Sequence, residues 1–179
     1  MLLFSRWHDF ALKWLKPNET TMKRTKANED TIEILNDLIK INNDRVKGYE
    51  KAIENTETLE AELKTLYARM AEESYECNRE LSEAVVKAGG EPATETTVPG
   101  KIYHAWMDVK ATFSGQDTKS TLAACEFGED AAQKAYEKAL EKDSPLPQDV
   151  YDLIARQKSL LKGSHDLIRQ YRDQYAEVN

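Results

Sequence analysis

At 179 residues, with 40% hydrophobic and 32% charged residues and only 7 Gly and 5 Pro, the chain suits one helical domain with its own core and a charged exterior. A net charge of -7 and the lack of a basic stripe argue against nucleic acid as a partner, because phosphate binding needs concentrated positive charge. Two cysteines, Cys77 and Cys125, are too few for a disulfide framework, and no apolar run reaches the ~20 residues that span a bilayer, so the expected location is the cytoplasm.

Residues 1–22 stand apart as an amphipathic N-terminal extension to a domain over residues 23–179. Leu3, Trp7, Phe10, Ala11, Trp14 and Leu15 share one helical face, and Pro17-Asn18 ends the pattern. Three readings of this extension stay open: contact with a membrane surface, packing on the bundle or on a second subunit, and an upstream extension with the natural start at Met22. Residues 1–16 lack the basic start, continuous apolar core and cleavage site of a secretory signal.

The first long helix is expected to open near Asp30, where Asp30 and Glu33 have capping-box spacing. Its stripe is Ile32, Leu35, Ile39, Asn42, Val46, Tyr49 and Ile53, with Asn42 interrupting it near the centre. After a turn around residues 55–58, a second stripe carries Leu59, Leu63, Leu66, Met70, Glu73, Cys77, Leu81, Ala84 and Ala88, and Gly89-Gly90 fits a left-handed C-cap. Residues 91–100 lose helical periodicity, and a short helix is expected over residues 101–113. The third helix, from about Asp117 to Glu141, presents Leu122, Cys125, Glu129, Ala132, Tyr136 and Leu140. The fourth, after Pro147, presents Val150, Ile154, Leu161, His165, Ile168 and Tyr171 or Arg172.

Each stripe thus has a polar residue near mid-height: Asn42, Glu73 or Ser74, Glu129 and His165. The connection between helices two and three is long enough to run the height of a bundle, which an up-down-up-down topology would not need. The expected fold is all-α, a ferritin-like four-helix bundle with a helix-containing crossover between helices 2 and 3. Such bundles build metal sites from carboxylates and histidines that project inward. A glycine-rich phosphate loop and a Gly-x-Ser-x-Gly elbow are both absent from the sequence, so nothing points to a kinase or hydrolase.

The run Cys125-Glu126-Phe127-Gly128-Glu129-Asp130-Ala131-Ala132, with Lys134-Ala135-Tyr136, the Gly89-Gly90-Glu91-Pro92 turn, His104-Ala105-Trp106-Met107-Asp108 and Leu35-Asn36-Asp37-Leu38, resembles an uncharacterised bacterial ferritin-like family known only as a domain of unknown function. The resemblance covers about residues 30–173. It is similar more widely to rubrerythrin, whose helices carry Glu, Glu-x-x-His, Glu and Glu-x-x-His. Carried onto this chain, that pattern puts Asn42 at the first Glu, Ser74 and Cys77 at the second Glu and His, Glu129 at the third Glu, and Lys162 and His165 at the last pair. Only Glu129 and His165 are usual ligands, so the resemblance implies a degenerate di-iron site.

Two functional expectations follow. The first is a non-enzymatic cytoplasmic bundle, an interaction or stress-associated protein without a cofactor and compatible with homo-oligomer formation, in which Glu129 is a buried carboxylate paired with Lys162 or His165. The alternative is a redox or metal-handling protein with iron or manganese in a rearranged site of Glu50, Glu73, Glu126, Glu129 and His165. Cys77 and Cys125 are expected to be small apolar core residues too far apart to bridge, and His165 on its own reads as a hydrogen-bonded core histidine.

Overall fold

The protein is seen here as a computed structural model that describes residues 19–56, 60–96, 118–141 and 146–177. Four helices make up the described fold: α1 (Glu19–Asn55), α2 (Ala61–Lys87), α3 (Thr118–Glu141) and α4 (Gln148–Glu177). Their apolar stripes recur at three- and four-residue steps and go inward, leaving most of the charged residues outside. The N-terminal segment over residues 1–18, with its tryptophan-bearing face, lies outside the described residues, as does the short helix expected over residues 101–113.

The start of α1 differs from expectation. The helix begins at Glu19, well before the capping box anticipated at Asp30. At that point the backbone is already helical, and the Thr31 hydroxyl donates back to the Ala27 carbonyl at 2.8 Å. The sequence has no Gly or Pro between Asn18 and Lys47, so nothing halts propagation of the helix toward its N-terminus. The other ends follow their signals. Pro147 supplies the carbonyl that receives the amides of Val150 and Tyr151, at 3.0 and 2.9 Å, opening α4.

A Schellman motif ends α2. The Gly89 amide bonds the Val86 carbonyl and the Gly90 amide bonds the Val85 carbonyl, both at 3.0 Å, with Gly89 at φ +88°. Gly90 is needed for a different reason: a Cβ there would lie 2.7 Å from Cγ2 of Ile32. The chain therefore leaves α2 tight against α1.

Side-chain pairs give the topology. Asn43 meets Asn78 and Glu50 meets Tyr75 across α1 and α2, while Glu126 meets Arg172 and Glu137 meets Lys158 across α3 and α4, so each hairpin is antiparallel. Between hairpins α1 packs on α3 and α4 on α2. Lys87 at the end of α2 pairs with Asp149 at the start of α4, and Thr118 at the start of α3 bonds Glu60 just before α2. Consequently α2 ends at one end of the bundle and α3 starts at the other, which is the ferritin-like arrangement with a full-height crossover. Its first part is visible. Asn36 of α1 donates to the Glu91 carbonyl at 3.0 Å and accepts the Ala93 amide at 2.8 Å, and Asn43, two turns along, donates to the Glu95 carbonyl at 2.8 Å. Residues 91–96 are thereby led along α1 away from the end where α2 stops.

The apolar core comes in two parts. One gathers Leu35, Leu38, Ile39, Leu81, Val85, Ile154 and Leu161. The other gathers Leu63, Leu66, Met70, Leu122, Ile168 and the tilted pair Tyr49 and Tyr67, whose ring centroids are 6.0 Å apart. Buried polar residues from all four helices lie among them: Asn42, Arg45, Ser74, Glu129, Gln157 and Ser164.

Candidate functional site: a buried arginine layer

The centre of the polar layer is Arg45. It sits on α1 one turn from Asn42 and one turn from Tyr49, so three residues at helical spacing turn their side chains inward. The residue is 1% exposed, and its guanidinium reaches two other helices. Nε and Nη2 donate to Oε1 of Glu129 on α3 at 3.2 and 2.6 Å, and Nη1 donates to the Ser74 hydroxyl on α2 at 2.8 Å. Glu129 Oε1 also accepts the Tyr49 hydroxyl, and the Arg45 guanidinium lies 5.8 Å from the centroid of the Tyr49 ring.

Electrostatics favour this pairing. Burial by itself disfavours the Arg45 charge, but the Glu129 carboxylate beside it more than compensates, with lesser help from Tyr49 and Glu73, and holds the guanidinium above its ordinary pKa. The Tyr49 hydroxyl is held well above its usual range, first by burial and then by Glu129. Both groups therefore remain protonated donors to one carboxylate oxygen. The other oxygen, Glu129 Oε2, is buried without a partner, as is Asn42 Oδ1.

A second carboxylate stands close by. Glu73 of α2 has Oε1 3.9 Å from Arg45 Nη2 and accepts the Ser164 hydroxyl of α4 at 2.7 Å. Burial raises its pKa, against the opposing pull of Ser164 and Arg45. A neutral relay completes the layer. Asn42 donates to the Leu38 carbonyl and, at 2.8 Å, to the Tyr136 hydroxyl, which donates to Gln157 at 2.8 Å. Gln157 in turn donates to the Cys77 carbonyl and, at 2.8 Å, to Glu80.

The five expected ligands are not brought together. Glu129 and Glu73 flank Arg45, but Glu50 is exposed on the outside of α1, where it accepts the Tyr75 hydroxyl. Glu126 pairs with Arg172 at 2.6 Å. His165 lies between two carboxylates, Nε2 3.0 Å from Asp130 and Nδ1 3.1 Å from Asp166. Among the described residues no group of three His, Cys, Asp or Glu side chains could hold a metal ion.

Several sequence expectations need correcting here. The partner of Glu129 is Arg45, not Lys162 or His165. Lys162 pairs instead on an exposed face with Asp166 at 2.6 Å. The inward residue of α4 at this height is Ser164, next to His165, because the buried steps along α4 run Ile154, Gln157, Leu161, Ser164 and Ile168. Moving one residue turns a helical side chain by 100°, enough to take His165 from the core to the flank. Sequence reasoning missed Arg45 and Gln157 because charged and amide side chains are expected outside. The available signal was the i, i+3, i+7 spacing of Asn42, Arg45 and Tyr49. The cysteines are both free and buried, Cys77 in one apolar cluster and Cys125 in the other.

The described helices include none long and apolar enough to cross a membrane. In fold the chain is similar to a solved Mycobacterium smegmatis Dps1 variant, with a TM-score of 0.70 and 19% identity over 82% of this chain and 97% of that one. No curated protein matches. Residues 30–142, more than half the chain, match the family described as "Domain of unknown function (DUF2383)". The chain belongs to that family, and its own fold is a ferritin-like four-helix bundle.

Proposed function

We propose that this protein is a non-enzymatic cytoplasmic bundle, an interaction or stress-associated protein whose centre is a structural ion-pair layer in place of a working metal site. The observation that carries this reading is the Arg45–Glu129 pair: a fully buried carboxylate whose charge the chain neutralises with its own cation. Ser74 and Glu129 stand where the sequence comparison placed ligands, and both are engaged by that guanidinium. With its centre closed in this way, the bundle acts through its outer faces. A second copy of the chain is one candidate partner, and sedimentation of the full chain measures that directly.

A rival reading keeps iron or manganese, with Glu50, Glu73, Glu126, Glu129 and His165 rearranged around the ion. One feature favours it: Glu129 Oε2 is buried and has no partner, and a cation is one group that would satisfy it. In that case Glu129 and Glu73 would be the nearest donors, and the metal would supply redox chemistry. Elemental analysis of protein from iron- and manganese-supplemented cells separates the readings. The structural reading requires substoichiometric metal and an unchanged melting temperature in chelator. Stoichiometric metal that is lost with Glu129→Gln would overturn it.

A further inference from the structure

We infer that the bundle centre is a guanidinium-binding site that the chain fills in cis with Arg45. This rests on the structural reading of the layer and adds the chemical class of cation that the layer is shaped to hold.

Three observations carry it. The partners of Arg45 come from two other helices and use each side of a planar fork: Nε and Nη2 on Glu129 Oε1, Nη1 on Ser74, and Nη2 facing Glu73 at 3.9 Å. A divalent ion would need several converging anionic oxygens or imidazoles, which the described residues do not assemble. The pocket instead offers one carboxylate in direct contact, a second at 3.9 Å, one hydroxyl and the face of an aromatic ring, a set that suits a flat, weakly hydrated monovalent cation. Finally, the aliphatic stem of Arg45 enters from the same α1 face as Asn42 and Tyr49, and its fork is planar, so less rotamer freedom is lost for each hydrogen bond formed than with a flexible ammonium.

Bound cation and fold are thereby one entity. A bundle whose central charge comes from a soluble ion is stabilised by mass action and depends on ion supply; this one carries its cation covalently and is independent of it. A second consequence concerns the hairpins. Arg45 belongs to the α1–α2 hairpin and Glu129 to the α3–α4 hairpin, so the resident guanidinium is also a buried charged tie between the two halves, in addition to the exposed Lys87–Asp149 pair.

The test is chemical rescue in the full chain. Arg45→Ala removes the fork but leaves Glu129, Ser74 and Tyr49 in place. Its melting temperature should fall by roughly 10 °C. Guanidinium chloride at low millimolar concentration, far below denaturing levels, should raise the melting temperature of Arg45→Ala by several degrees, while equal sodium chloride or manganese(II) should not. The wild type, its site filled, should not respond. Absence of guanidinium-specific rescue overturns the inference, as does stabilisation by manganese(II). If Arg45→Ala does not fold, Arg45→Lys decides: it keeps the charge without the fork and should melt clearly below wild type, whereas a wild-type melting temperature would refute the need for a planar cation. Metal content of the wild type tests the structural reading separately, since an ion bound elsewhere would leave the rescue unaffected.

Discussion

Replacing Arg45 with methionine probes the layer most directly, because methionine keeps an unbranched stem of similar reach and removes only the charged fork. In the wild type three donors converge on Glu129 Oε1: two from Arg45 and one from Tyr49. Arg45→Met removes two of them and leaves a fully buried carboxylate with the Tyr49 hydroxyl alone. Breaking a buried pair on one side costs about 3–5 kcal/mol, since the remaining charge keeps its desolvation penalty without its partner. For a chain of this length each kcal/mol moves the melting temperature by about 2–4 °C, so a drop of about 6–20 °C is expected. The reverse change, Glu129→Leu, leaves Arg45 with Ser74 and with Glu73 at 3.9 Å, and should cost somewhat less. The double variant Arg45→Met/Glu129→Leu removes both charges together. It should lie within about 2 kcal/mol of wild type, limited by the Tyr49 hydroxyl that loses its acceptor. Denaturant unfolding followed by far-UV circular dichroism, with equal slopes across the four proteins, yields the coupling energy. Additive single costs, or single variants each within about 1 kcal/mol of wild type, would refute the argument that this pair organises the core.

Tyr136→Phe interrupts the neutral relay and leaves Gln157 Oε1 without its donor, so it should cost about 1–3 kcal/mol in the same unfolding assay, with little change in helical content. Burial holds the Glu73 carboxyl above its ordinary range, so the folded protein binds that proton more tightly than the unfolded chain, which titrates near about 4.3. Its contribution to stability is present below that unfolded value and is lost as the pH rises through the folded one. Glu73→Gln should therefore raise the melting temperature at neutral pH, and the gain should vanish as the pH falls to about 4 and below; a gain equal at both pH values would contradict this. Cys77, its thiol pushed up to about 11 by burial, and Cys125, pushed higher still, should resist alkylation in the native protein at pH 8 and react fully in denaturant. Rapid native labelling of either would count against a closed core. Gly89→Ala should destabilise by about 1 kcal/mol through its positive φ, and Gly90→Ala by about 1–3 kcal/mol through the clash with Ile32, both read as shifts in the unfolding midpoint.

Much of the bundle is legible in the sequence because helical periodicity is a local property. Leu63, Leu66, Met70, Cys77 and Leu81 recur at the steps that place them on one face, and each of them is buried. Gly89 marks the end of α2 because a left-handed residue is needed there whatever the rest of the molecule does. Asn42 and Glu129 belong to the core for the same reason, as polar residues fixed within apolar stripes. What a stripe leaves open is the direction of each side chain at its edge, where one residue is worth 100°. His165 and Ser164 illustrate it: neighbours in sequence, they go to the flank and the interior of α4, and only packing against α2 decides which.

The partner of Glu129 belongs to tertiary structure altogether. The spacing of Asn42, Arg45 and Tyr49 puts Arg45 on the inner face of α1 but names no partner for its charge; its carboxylate is 84 positions away in sequence and comes within 2.6 Å only when the two hairpins dock. Local propensity puts an arginine outside, because outside it keeps its water. A buried arginine is stable only when groups such as the Glu129 carboxylate and the Ser74 hydroxyl, from other helices, replace that water together, and such compensation exists only once the helices are assembled.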